Sequence, residues 1–147
     1  MRRAFLILPF LIACGGAEQA QTDTAAMAPA PAMLTEADVA GTWTGVSMPE
    51  GSDSVVARWT QICAAGTCKG VIEGQTDTVM STYRIEGDSS IGTSSAFADP
   101  MVQGRMVVDT WVARISGGQV TGTLVTRLAD NPDSVVMRSR FTGSRAP

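Results

Sequence analysis

Val107-Val108-Asp109-Thr110-Trp111-Val112-Ala113-Arg114-Ile115, then Gly117-Gly118, then Gln119-Val120-Thr121-Gly122-Thr123-Leu124-Val125-Thr126-Arg127-Leu128, is the stretch on which the fold turns. Its residues alternate. Val107, Asp109, Trp111, Ala113 and Ile115 fall on one side, with Thr110 and Arg114 on the other. Val120, Gly122, Leu124 and Thr126 then oppose Thr121, Thr123 and Arg127. A period of two is the signature of a half-buried strand. The glycine pair supplies the positive φ that a tight reversal needs. Together they predict an antiparallel hairpin with one apolar face.

The same pattern spreads outward in both directions. Runs at about 41–48, 54–62, 68–73, 78–87 and 90–97 precede the hairpin (104–115 and 119–128), and one at about 133–143 follows it. Turn-forming segments such as Pro-Glu-Gly-Ser-Asp, Gly-Gln-Thr-Asp and Asp-Asn-Pro-Asp separate them. Val55, Ala57 and Trp59, then Val79, Ser81, Tyr83 and Ile85, then Val135, Met137, Ser139 and Phe141 share the inward side. Arg58, Arg84, Arg138 and Arg140 take the outward one. Such segregation predicts an antiparallel sheet with one solvated face. Closing eight such strands into a barrel abolishes the exposed edges and leaves room for one small ligand. Thr35-Glu36-Ala37-Asp38 ahead of the first strand predicts a short helical turn through a capping-box-like start. The expected fold is therefore all-β, an eight-stranded antiparallel up-and-down barrel over residues 35–147, preceded by that turn.

Composition narrows the function. Eleven Lys and Arg against fourteen Asp and Glu leave a net charge of -3, which argues against a nucleic-acid partner. The absence of His removes the commonest general base and metal ligand. No metal, cofactor or catalytic triad is expected.

At the N-terminus, Arg2 and Arg3 precede an apolar run from Ala4 to Ala13 that is too short to span a membrane. The run closes with Leu11-Ile12-Ala13-Cys14, which resembles the lipobox of bacterial lipoproteins. That resemblance implies a signal peptide over 1–13 and acylation of Cys14. It also implies residence in the cell envelope, with Gly15 leaning toward the periplasmic face of the outer membrane. Several acyl chains would make the anchor permanent. Residues 14–34, rich in Ala, Gly, Gln, Thr and Pro, read as a disordered tether.

Gly41-Thr42-Trp43, at the head of the first strand, resembles the G-x-W opening of lipocalins and related calycin barrels; avidins begin similarly. The resemblance implies that Trp43 plugs one barrel end and that an Arg of the last strand, Arg138 or Arg140, packs across it. The polar residues of an avidin biotin site cannot be traced.

Cys63 and Cys68, an even pair in an exported chain with four residues between them at a hairpin end, predict a disulfide. So short a loop should contribute about 1–2 kcal/mol. Trp59, Tyr83, Asp109, Trp111 and Met137 form the candidate ligand pocket. Asp109 is the only acid on the inward face, which offers no second carboxylate for glycosidase-type chemistry. A strand inverted by one residue would instead turn Asp109 outward among the arginines. The leading expectation is a non-catalytic envelope lipoprotein whose barrel binds a small apolar or amphipathic ligand. The alternative is an envelope interaction protein or enzyme inhibitor with a filled barrel, acting through loops and outer face. An open or a solid interior discriminates them.

Overall fold

The computed structural model describes residues 33–147; the expected signal peptide, Cys14 and residues 14–32 of the tether lie outside the described residues. A single helical turn, α1 (Glu36–Val39), leads into β1 (Gly41–Pro49), β2 (Ala57–Ala64), β3 (Thr67–Ile72) and β4 (Val79–Glu86). There follow β5 (Ser89–Ser94), β6 (Phe97–Asp99), a 3-10 turn (Pro100–Val102), β7 (Arg105–Ser116), β8 (Gln119–Leu128) and β9 (Asn131–Arg145). All strand pairs are antiparallel, and β1 pairs with β9. Both β5 and β6 pair with β7, so they act as one interrupted strand and the sheet closes as an eight-stranded barrel. Closure leaves the long strands no free edge, which is why so small a sheet needs no covering layer.

The two ends of the barrel differ. At one end two-residue turns join Ala64 to Thr67, Glu86 to Ser89 and Ser116 to Gln119. The last turn is Gly117-Gly118, with φ of 56° and 74°, a conformation that only glycine adopts freely. At the other end the connections 50–56, 73–78 and 100–104 are longer.

The short-turn end is sealed. Trp43 is 1% exposed, and its indole N–H donates to the Val39 carbonyl at 2.8 Å. The guanidinium of Arg145 stacks 4.6 Å from the Trp43 ring centre. It also donates to the carbonyls of Ala40, Asp38 (2.7 Å) and Ala37, clamping the C-terminus of α1. A cation serves there because the last carbonyls of a helix carry partial negative charge. The arginine across the plug is thus Arg145, not Arg138 or Arg140. Strand β9 runs on past residue 143, and Arg140 instead reaches Asp53 at the other end. Gly41 explains the first position of its motif: its φ is 128°, and a Cβ would sit 2.4 Å from Arg145 Nη1. Leu34, the last residue of the expected tether, is buried at this end and donates its N–H to Gly87.

Cys63 and Cys68 face each other directly across β2 and β3, with Cα atoms 4.0 Å apart, and form a disulfide. Both are buried in the same apolar cluster as Leu34, Val39, Trp43 and Tyr83.

Irregular pairing in two regions breaks the simple alternation. From Thr93 to Phe97, four steps along β5 and β6 oppose three along β7, from Thr110 to Val107. In β9, Met137 pairs with Thr126, but Val135 pairs with Arg127. An extra residue turns everything beyond it to the other face. Val135, expected inward, is therefore exposed, while Val136 packs with Phe97, Val107 and Leu128 near the long-loop end.

The plug is a test of this end. Trp43→Ala should lose about 3–5 kcal/mol of unfolding free energy in urea, the range for a large buried aromatic. A loss below about 1 kcal/mol would place Trp43 outside the cooperative core.

Candidate ligand cavity

Inside the barrel lies a cavity of about 430 Å³. It runs from Trp43 and the disulfide to the long-loop end, where Val55 and Met101 line it while remaining 45% and 52% exposed. That volume lies within the ordinary range for small-molecule sites.

The barrel is hollow because of what stands opposite its aromatic residues. Trp59 pairs across the sheet with Gly45, Trp111 with Gly92, and Phe141 with Gly122. A Cβ on Gly92 would fall 2.0 to 2.6 Å from three adjacent atoms of Trp111, so the ring lies face-on against the glycine backbone. At Gly45 the nearest Trp59 atom would be 2.3 Å away, and at Gly122 the nearest Phe141 atom 2.4 Å. Each ring thus covers the neighbouring strand instead of crossing the lumen. Glycine costs a strand stability by itself, and an aromatic laid over it restores packing. Trp59 and Phe141 then meet edge to face with centres 6.0 Å apart.

Asp109, Trp59, Trp111 and Met137 all line this cavity. Asp109 faces inward, so the inverted register does not arise. Tyr83, expected with them, does not line it: the side chain is buried but turns toward α1. Its hydroxyl donates to Glu36 of α1, and its ring packs in the apolar cluster of the sealed end. Burial, then the hydrogen bond to Glu36, push the Tyr83 hydroxyl up to about 12.

Asp109 is held by two neighbours. Thr126, 1% exposed, donates its hydroxyl to Asp109 Oδ1 at 2.6 Å, and the Asp109 N–H donates to Ser94 Oγ at 2.9 Å. Desolvation dominates its titration and raises the carboxyl to about 6; the Thr126 bond opposes this, and the charge of Asp99 adds to it.

Asp99 is the residue that alternation misses. In the sequence, Asp99-Pro100 reads as a turn, and no second inward acid is expected. The bulge after β5 rotates Phe97 and Asp99 inward, so Asp99 lines the cavity while only 7% exposed. Its Oδ1 accepts the Met101 N–H at 2.8 Å and caps the 3-10 turn. The signal that could have found it is small: an acid just before proline, at the end of a strand rich in Ser.

Further hydroxyls complete a polar wall. Ser94 and Ser139 line the cavity and are 9% and 3% exposed. Ser139 Oγ and Gln75 Nε2 are buried with no hydrogen-bond partner among the described residues. A buried polar atom in that state is unfavourable unless something in the cavity meets it.

No cluster of three or more His, Cys, Asp or Glu able to hold a metal occurs among the described residues. Nor is any helix there long and apolar enough to cross a membrane. The fold and cavity define the class: a closed antiparallel β-barrel with one sealed end and a ligand-sized interior. No protein-family model, no curated protein and no solved structure matches the chain.

The raised Asp109 carboxyl has a stability consequence. Because its folded value exceeds the unfolded 3.8, its contribution is complete below that pH and is lost as pH rises through about 6. Asp109→Asn keeps an acceptor for Thr126 and removes the buried charge. At pH 7.5 it should unfold with on the order of 1–2 kcal/mol more free energy than the parent, converging with it near pH 4. An equal or lower stability at pH 7.5 would mean that the carboxylate is fully hydrated.

Proposed function

We propose that this chain is a lipid-anchored, non-catalytic envelope protein whose lipocalin-like barrel binds a small amphipathic ligand. The observation that carries the reading is the open interior: aromatic rings lie against the wall, and about 430 Å³ remains between them. A barrel acting only through its outer face gains nothing from such a volume. A packed interior would be more stable, since unfilled core space is costly. The envelope interaction protein with a filled barrel is for that reason the weaker alternative.

Sealing and opening also fit the reading. One end is closed by Trp43, Arg145 and the disulfide, so a ligand would enter between the longer loops, past Val55 and Met101. Asp99 and Asp109 together invite an acid–base reading. Yet one oxygen of each already accepts a structural hydrogen bond, and the chain has no His to activate a nucleophile. Binding is the simpler use of the pair.

The lipobox-like Leu11-Ile12-Ala13-Cys14 supports anchoring through Cys14, with residues 14–34 as the tether and the outer membrane's periplasmic face as the location. Metabolic labelling with a fatty-acid analogue should mark the chain, and Cys14→Ala should abolish the label. Label that persists in Cys14→Ala would contradict the anchor. For the cavity, native mass spectrometry of the protein purified from its own envelope should show a bound small molecule. Ser139→Leu, which fills the lumen with an apolar side chain, should reduce that occupancy at least several-fold while the fold is retained. A parent protein with no adduct, and no change in Ser139→Leu, would favour the filled-barrel alternative.

A further inference from the structure

The wall of the cavity is chemically one-sided. Its enclosed charges are both negative: Asp109, and Asp99, which the bulge between β5 and β6 turns toward the same space. The cation that also lines it, Arg58, lies at the open end, where it pairs with Glu73 at 3.7 Å. Each enclosed aspartate commits Oδ1 to a neighbour and leaves Oδ2 as an acceptor. Independently of the acids, Ser139 Oγ is buried, unpartnered and on the cavity lining.

On the reading that this cavity binds a small amphipath, we infer that its occupant is cationic: an amine whose ammonium is held on the acidic wall that carries Asp99 and Asp109. Its apolar body lies along Trp59 and Trp111. An ammonium offers three donors and no acceptor, which suits a wall whose free polar atoms are carboxylate oxygens and a serine hydroxyl. Charge-assisted bonds of this kind are the strong ones, and indole faces attract a desolvated cation further. A fatty acid or phosphate monoester would bring a third negative charge into a low-dielectric space already holding two. A neutral hydrocarbon would cover the acids and Ser139 without meeting their hydrogen-bonding capacity. The acidic wall therefore selects charge, while the rings accept any apolar body of suitable size.

The test uses three probes of equal chain length on the full chain at pH 7.5: decylamine, decanol and decanoate, titrated by calorimetry. Decylamine should bind about tenfold or more tightly than decanol, the discrimination that one buried hydrogen bond to a charged group supplies. Decanoate should bind more weakly than decanol. Asp109→Asn and Asp99→Asn, both of which keep their structural acceptor oxygens, should each reduce decylamine affinity several-fold and leave decanol unchanged. Decanol binding with no amine preference, or decanoate binding best, overturns the cationic assignment alone. An amine preference that survives both substitutions places the cation elsewhere and overturns it too. If none of the three binds, the binding function itself fails with it.

Discussion

An aromatic side chain turned into an eight-stranded barrel has two places to go: across the lumen or flat against a neighbouring strand. In this protein Gly45, Gly92 and Gly122 decide the matter, because each stands directly opposite an inward ring and has no Cβ to hold it off. The rings supply the apolar area that keeps the sheet rolled. By lying on the wall they also leave the centre empty. Stability and hollowness, usually opposed, come from the same three pairs. Gly143 extends the device, since its Cβ would fall 2.8 Å from the Trp59 ring.

From this follows a division of labour along the barrel axis. At one end, tight turns, the disulfide and the Trp43–Arg145 stack tie α1 to the first and last strands, closing the sheet where its termini meet. At the other end three of the four links are longer, and the apolar lining reaches the surface at Val55 and Met101. Between the two lies the polar wall. The bulge that interrupts β5 and β6 turns Asp99 toward the same space as Asp109, and the proximity is felt in the Asp109 carboxyl. A local irregularity in pairing thereby creates the cavity's chemistry.

Much of this architecture was legible because it rests on period two and on turn chemistry, both of which are local. Strand positions, the inward set through Trp59, Asp109, Trp111 and Met137, and the Cys63–Cys68 bridge are all of that kind. The misreadings arise where one residue shifts the pattern. Asp99 and Val136 turn inward only because of bulges, which leave no clear mark in composition. Tyr83 shows a different limit: alternation gives the side a residue faces, not its height along the barrel, and height is what sends its hydroxyl to Glu36. Arg145 was missed because a strand that continues through Thr142-Gly143-Ser144 looks, from sequence, as though it has already ended.

The state of the rings is open to direct observation in the unmodified protein. In a proton NMR spectrum, one Hα of each of Gly45, Gly92 and Gly122 should lie strongly upfield of ordinary glycine positions, shielded by the face of the ring above it. Glycines of open turns, such as Gly51 and Gly74, should show no such shift. Ordinary shifts at all three strand glycines would mean that the rings cross the lumen, that the barrel is filled, and that the cavity does not exist in solution.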